Sequence, residues 1–181
     1  MRVITGTARG RRLKEPSNYD IRPTTDKVKE AMFNILQFHI EGARVLDLFA
    51  GTGQLGIEAL SRGAGSCVFV DRSPEAVRIV TENLKATGLE AGARVLKGDS
   101  LAYLQGAREF DLILMDPPYA GDLLEKALDL AGTFDILNKN GIIICESDRS
   151  RTLPELPEDR FSRREYVYGR VKLTAYTRND I

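Results

Sequence analysis

The sequence predicts an α/β fold: a mostly parallel sheet of seven strands, covered by helices on both faces and finishing in an antiparallel hairpin. Three observations carry this. From residue 43 to residue 145, short apolar runs alternate with amphipathic helical runs. Strands that are apolar on both faces belong to a buried parallel sheet. The first of them, Val45-Leu46-Asp47-Leu48-Phe49, breaks into Ala50-Gly51-Thr52-Gly53-Gln54-Leu55-Gly56 and continues at once as a helical pattern, as a buried strand does when it turns sharply into a helix. Finally, Arg160–Tyr168 and Val171–Arg178 flank Gly169-Arg170, a two-residue turn with glycine first.

Each element has a local reason. Residues 1–14 carry Arg2, Arg9, Arg11, Arg12 and Lys14 and no acid, with Gly6 and Gly10 among them; they read as a basic hairpin or arm with its cations outward. Residues 15–23, with Pro16, Asn18 and Pro23, form a loop. Arg22-Pro23-Thr24-Thr25-Asp26 then announces a helix, capped by Thr25 and favoured by Asp26 at its positive end. Val28, Met32, Ile35 and Leu36 make its apolar face, while Arg22 and Thr24 precede that face and can line a site. Ala43–Phe49 is a strand, Gln54–Arg62 a helix and Ser66–Asp71 a strand. Ser73-Pro74 opens a helix lined by Val77, Val80 and Leu84 and stopped by Gly88. Ala93–Lys97 is the third strand, a short helix follows Gly98-Asp99-Ser100, and Phe110–Met115 is the fourth strand. Leu123–Leu137 is helical and Gly141–Cys145 is the fifth strand, ending at Glu146.

The totals narrow the class. A chain of 181 residues, 43% hydrophobic and 29% charged, is a single globular domain (1–181, with the arm over 1–20 and the core over 21–181) rather than a disordered chain. A formal net charge of zero supplies no global field toward nucleic acid, so charge placement must carry any such contact. Cys67 and Cys145 sit in apolar runs and read as buried thiols, not as a disulfide or a metal site. His39, the lone histidine, has no partner cluster and reads as a surface residue at a helix end. No stretch at the amino terminus is apolar enough for a signal peptide or membrane span. A cytoplasmic protein and a monomer are expected, with no metal and no membrane partner.

The acids mark the chemistry. Asp47, Asp71, Asp99 and Asp116 each fall at the carboxyl end of a different expected strand, the edge where open α/β sheets bind ligands. Gly51, Gly53 and Gly56 satisfy G-x-G-x-x-G, and Asp71 lies 24 residues after Asp47, where a ribose hydroxyl is held. Four carboxylates oppose a pyrophosphate but suit S-adenosylmethionine, which has no phosphate and carries a sulfonium and an ammonium. Asp99 can also cap the helix that follows it. The second marker is Asp116-Pro117-Pro118-Tyr119. Consecutive prolines are stiff and offer acceptors only, so the Asp116 carboxylate and Pro117 carbonyl can orient one exocyclic amine. Tyr119 offers a ring face for a planar base.

Together these residues resemble a class I S-adenosylmethionine-dependent amino-methyltransferase of Rossmann-like fold. The resemblance extends to the RsmD family of bacterial 16S ribosomal RNA guanine-N2 methyltransferases. It is carried by Gly6–Leu13 (Gly-x-x-Arg-Gly-Arg-Arg-Leu), by Arg22-Pro23-Thr24 with Lys29-Glu30-x-x-Phe33-Asn34, and by Gly56-x-Glu58-Ala59-Leu60-Ser61-Arg62-Gly63-Ala64. It implies that Asp47 and Phe49, Ala50, Gly51, Thr52 and Gly53 pass along the cofactor. Asp71, next to Arg72, would bind its ribose, and Asp99 with Ser100 its adenine end. Asp116 to Tyr119 would hold the target guanine. The partner implied is 16S ribosomal RNA on an assembled small subunit.

The expected mechanism is direct transfer to a guanine turned out of its stack, with alignment and charge placement as the main sources of rate. Arg9, Arg11, Arg12, Lys14 and Arg22 would hold RNA phosphates, which position without specifying sequence. Three rivals remain. An adenine-N6 or cytosine-N4 methyltransferase of DNA or RNA shares the motifs, but the chain has no room for a separate DNA-recognition domain. A NAD-dependent oxidoreductase shares the glycines but leaves Asp-Pro-Pro-Tyr unexplained. A non-catalytic RNA-binding assembly factor would need only the arm.

Overall fold

The computed structural model describes residues 1–17 and 24–179. Among them, seven strands form one sheet and five α-helices cover it. In chain order the elements are α1 (Asp26–Ile35), β1 (Arg44–Leu48), α2 (Gln54–Ser61), β2 (Ser66–Asp71), α3 (Pro74–Thr87), β3 (Ala93–Lys97), α4 (Ser100–Gly106), β4 (Phe110–Met115), α5 (Leu123–Thr133), β5 (Leu137–Asp148), β6 (Phe161–Tyr168) and β7 (Val171–Arg178). The strand order is β3-β2-β1-β4-β5-β7-β6. All pairs are parallel except β5–β7 and β6–β7, which run antiparallel as the hairpin pattern predicts. The order reverses between β1 and β4, which opens a crevice at their carboxyl ends.

Local signals set most boundaries. Thr25 Oγ1 accepts the Val28 N–H at the start of α1. Ser73 caps α3, Pro74 takes its first turn, and Gly88 ends it in the left-handed region at φ 71°. Two boundaries differ from expectation. The helix expected over Leu123–Leu137 stops at Thr133, and β5 begins at Leu137 and runs on to Asp148. Phe134 is extended, and the Ile136 carbonyl accepts the Phe110 N–H of β4. The apolar spacing of this stretch suits a helix, but a bond to the neighbouring strand claims its backbone. On α1, Val28, Met32 and Leu36 are buried as predicted, whereas Ile35 is half-buried and Phe33 and Lys29 are fully buried.

Two apolar layers sandwich the sheet. One, beneath α1, α2 and α3, includes Val45, Phe69, Leu114, Ile144 and Leu173. The other, beneath α4 and α5, includes Leu46, Ile113, Ile143, Cys145 and Tyr176. Both cysteines are buried and unpaired, and burial pushes both thiols up.

The basic arm is a hairpin lying along α2. Arg2 and Arg12 form its antiparallel bridge. Val3, Ala8 and Leu13 face the core, while Arg9, Arg11 and Arg12 are exposed. The Ile4 and Thr5 N–H groups donate to Glu58, and those of Thr7 and Ala8 to Ser61, the last residue of α2. At Gly6 a Cβ would lie 1.9 Å from the Ser61 carbonyl oxygen, so only glycine permits this approach. Beneath the arm, Lys29 Nζ bonds the Arg2 carbonyl at 2.7 Å and lies 3.6 Å from Glu58, which also receives Arg62 Nε at 2.9 Å. Lys29 and Glu58 are fully buried. Burial lowers the Lys29 ammonium and the Glu58 charge opposes it. Removing one partner of such a buried pair typically costs about 3–5 kcal/mol, so this network fixes the arm. Among the described residues no helix is long and apolar enough to cross a membrane.

Candidate active site

The crevice between β1 and β4 gathers the marked residues at one edge. On the β1 side stands the glycine turn. Phe49, Gly51 and Gly53 all adopt positive φ, at 60°, 59° and 78°. For an aromatic residue this conformation is strained, and the surrounding bonds enforce it. The Ala50 N–H donates to Val70 and the Gly53 N–H to Ala50. Asp47 accepts the Gly56 N–H at 2.9 Å. A Cβ on Gly56 would lie 2.4 Å from the Phe69 ring, so the third glycine brings α2 close against β2.

Asp47 differs from the picture of an acid lining the edge. It is 2% exposed and supports the turn from behind. Burial pushes its carboxyl up to about 8, and the Asp71 charge adds to the rise. Asp71 ends β2, where its Oδ2 accepts the Gly51 N–H at 2.9 Å and its Oδ1 the Ser73 N–H at 2.9 Å. Its carboxylate is thus fixed beside the turn, with a lone pair left on each oxygen. Arg72 is exposed. Asp99 is exposed and caps α4 by accepting the Ala102 N–H at 2.8 Å, and Ser100 is buried in the first turn of that helix. Thr52 is buried, and its carbonyl accepts from Asn83 on α3. Asn83 also exchanges two hydrogen bonds with the Lys14 backbone, tying the arm to the turn. No motif marks Asn83, and a buried asparagine on an otherwise apolar helix face is its only signal.

On the β4 side stands the acid-proline turn. Asp116 follows Met115 directly; Pro117 is buried, Pro118 exposed and Tyr119 half-buried. Thr24 Oγ1 lies 2.8 Å from Asp116 Oδ2 and 2.8 Å from Glu146 Oε2. The Tyr119 hydroxyl donates to Glu146 Oε1 at 3.0 Å. One threonine hydroxyl has one proton, so it donates to one acid and accepts from the other only if that acid is protonated. The bridge therefore couples the two acids, so that the charge on one bears on the other. Burial first, then the Glu146 charge, pushes the Asp116 carboxyl well above the usual carboxylate range, and the Thr24 bond partly offsets this. Glu146 is a functional candidate that the motif reading noted only as a strand end, and its signal was an acid closing an apolar strand.

Arg151 holds the far end of this turn. Its Nη1 donates to the Tyr119 carbonyl at 2.9 Å, its Nη2 to the Gly121 carbonyl at 2.5 Å, and Nε and Nη2 form a fork on Glu125 of α5 at 2.6 Å each. The paired carboxylate raises Arg151, and the guanidinium lowers Glu125.

Of the residues predicted to hold phosphates, Arg9, Arg11, Arg12 and Lys14 lie on the arm. Arg22 falls outside the described residues. Lys14 pairs with Glu82 at 2.8 Å. Arg9 adjoins Thr7 and Ala8 at the end of α2 furthest from the glycine turn. Two cavities of ≈ 300 Å³ and ≈ 200 Å³, around Phe161 and Tyr176 and around Phe38 and His39, do not include the strand-end residues. Among the described residues no cluster of His, Cys, Asp or Glu is arranged to hold a metal.

The donor set fits S-adenosylmethionine. A Cβ on Gly51 would have only the Phe49 carbonyl oxygen near it, at 4.0 Å, so bare backbone faces the ligand. Asp71 supplies a fixed acceptor for ribose hydroxyls beside that backbone.

Known proteins agree. Residues 1–177 match the family described as Conserved hypothetical protein 95. The chain is 43% identical over 180 residues to YlbH of Bacillus subtilis, named as a candidate rRNA methyltransferase, covering 97% of this chain and 98% of that one. It is 36% identical over 179 residues to ribosomal RNA small subunit methyltransferase D of Escherichia coli K12, covering 98% and 90%. The solved structure of the Escherichia coli candidate methyltransferase yhhF superposes with a TM-score of 0.88 at 34% identity, over 100% of this chain and 99% of that one. An RNA methyltransferase from Salinibacter ruber, solved with S-adenosyl-L-homocysteine, shares the fold at a TM-score of 0.67 and 17% identity, over 88% and 95%. The chain belongs to the Conserved hypothetical protein 95 family, the RsmD family, and is an S-adenosylmethionine-dependent methyltransferase.

Proposed function

We propose that the protein methylates the exocyclic N2 of a guanine in 16S ribosomal RNA, acting as a monomer in the cytoplasm on the small subunit or an assembly particle. The observation that carries this reading is the Asp116–Pro117–Pro118–Tyr119 turn, braced by Thr24 and Glu146 at the same edge as the glycine turn. Two relatives bear names for methylation of ribosomal RNA.

When bound, S-adenosylmethionine supplies an electrophilic methyl group on a sulfonium, so no metal or covalent nucleophile is needed. The backbone of Phe49–Gly53 would hold it, with Asp71 as acceptor for its ribose hydroxyls and Asp99 and Ser100 toward its adenine. Asp47 acts from behind the turn. Asp116 and the Pro117 carbonyl accept hydrogen bonds from the target amine and aim its lone pair, while the Tyr119 ring stacks on the base. As the N–C bond forms and the C–S bond breaks, the amine nitrogen loses a proton. Asp116, whose carboxyl is raised, takes that proton and passes it to water. Arg9, Arg11, Arg12, Lys14 and Arg22 hold phosphates of the RNA.

The test uses small subunits from cells lacking this protein and radiolabelled S-adenosylmethionine, followed by digestion to nucleosides. Label in N2-methylguanosine is the expected result. Label in N6-methyladenosine or N4-methylcytidine, or no transfer, contradicts it.

A further inference from the structure

The β6–β7 hairpin stands beside the catalytic edge. Val171 pairs with Asp148 on one side and with Tyr168 on the other, and Leu173 pairs with Glu146 and with Tyr166. The Gly169-Arg170 turn thus lies at the same end of the sheet as Glu146, and the Arg149 N–H donates to the Arg170 carbonyl at 2.8 Å. β6 is the outer strand. Tyr166 and Tyr168 are half-buried and pack on the same apolar layer as Val171 and Leu173. Strand alternation sets Arg164 on that face too, opposite Ala175, another residue of the layer.

Three cations of this hairpin have acidic partners: Arg163 pairs with Glu155, Lys172 with Glu165 and Arg178 with Asp135. Arg149, Arg164 and Arg170 are exposed and make no ion pair among the described residues. Asp148 is the acid among them, and its Oδ1 accepts from the Ser150 N–H and hydroxyl. Three exposed arginines interleaved with two tyrosines match single-stranded nucleic acid, whose phosphates attract guanidinium groups and whose splayed bases stack on aromatic rings. The amino-terminal arm does not reach this place: its tip sits at Ser61, at the end of an eight-residue helix and so about 12 Å from that helix's start at the glycine turn.

We propose that the β6–β7 hairpin is a second RNA-binding surface, which holds the single-stranded ribonucleotides flanking the target base through Arg149, Arg164 and Arg170 at phosphates and Tyr166 and Tyr168 at bases. The proposal rests on the reading of the chain as an RNA methyltransferase. The arm anchors RNA at a distance, and the hairpin fixes the strand where the base leaves its stack. None of the five residues belongs to the cofactor site or the acid-proline turn.

The test is binding of protein-free 16S ribosomal RNA, measured by filter retention across a range of salt, so that it does not depend on methyl transfer. The triple variant Arg149→Ala, Arg164→Ala, Arg170→Ala is expected to bind about tenfold more weakly. Its plot of log affinity against log salt should be shallower by about 2, the value for three lost contacts to a single strand. S-adenosylmethionine affinity and thermal midpoint should be unchanged. Tyr168→Ala should weaken binding without changing the slope, and Tyr168→Phe should restore it. Unchanged affinity and slope in the triple variant overturn the proposal, as does failure of the unaltered protein to bind the RNA. Loss of binding to small subunits alone, with protein-free RNA bound normally, overturns it in favour of a ribosomal protein contact. Failure of methyl transfer with the salt result intact would instead count against the catalytic reading.

Discussion

The two halves of the catalytic edge are built differently. On the glycine side, acids hold backbone: Asp47 takes the Gly56 N–H, and Asp71 takes those of Gly51 and Ser73. On the acid-proline side, side chains hold one another across long stretches of chain. Thr24 reaches Asp116 and Glu146, Tyr119 reaches Glu146, and Arg151 reaches Glu125. Backbone held by a buried acid gives a rigid cradle whose shape does not depend on a neighbour's protonation. Linked side chains give a site whose charge and proton content can change during a reaction. The first suits a cofactor that must be held the same way in every cycle, and the second suits an acceptor that must lose a proton.

Variants can break this contrast. Asp116→Ala removes the group that aims and deprotonates the amine, and methyl transfer should fall about a thousandfold in single-turnover assays. Loss of only a fewfold would move catalysis elsewhere. Arg151→Gln unties the turn from α5 while leaving the acids in place. Its transfer rate at saturating RNA should fall roughly thirtyfold, by misplacement of Tyr119, with S-adenosylmethionine affinity kept. An equal loss in both would make Arg151 a general stabiliser.

Protonation separates the halves further. Asp47, pushed up to about 8 by burial, binds its proton more tightly in the folded chain than in the unfolded chain, where it titrates near ~4. Its contribution to stability is complete below about pH 4 and is lost as pH rises toward about 8. Urea unfolding should show wild type losing stability across that window. Asp47→Asn, which keeps an acceptor for Gly56, should show a flatter profile; matching profiles would mean that Asp47 is ionised in the folded chain. Asp116 acts as acceptor only when ionised, so transfer should rise with pH through a midpoint well above the usual carboxylate range. Among the described residues the groups facing it are Glu146, Thr24, Asp47 and the Cys145 thiol. Glu146→Gln removes one like charge and should lower that midpoint by about one unit, whereas an unmoved midpoint would assign the titration elsewhere.

The same contrast explains what the sequence disclosed. The glycine turn was legible because its parts are neighbours: a strand, an acid and three glycines within a dozen residues, with Asp71 one strand on. Asp-Pro-Pro-Tyr was legible for the same reason. Thr24 was legible as a residue that can line a site, but its partners, like the roles of Glu146 and Arg151, emerge only when folding brings the start of α1, β5 and the segment after β5 to the end of β4, a meeting that no local spacing encodes. Asp47 was found, but its direction was not, because a carboxylate at a strand end can face the crevice or the helix behind it. The end of α5 was missed where a strand bond overrides helical spacing.

The most direct test of two separately built halves is calorimetric titration of S-adenosylmethionine into wild type, Asp71→Ala and Asp116→Ala. Asp71→Ala should bind at least about tenfold more weakly, a loss of roughly 1.4 kcal/mol or more, and Asp116→Ala should bind within about twofold of wild type. Equal weakening in both variants, or none in Asp71→Ala, would contradict the division.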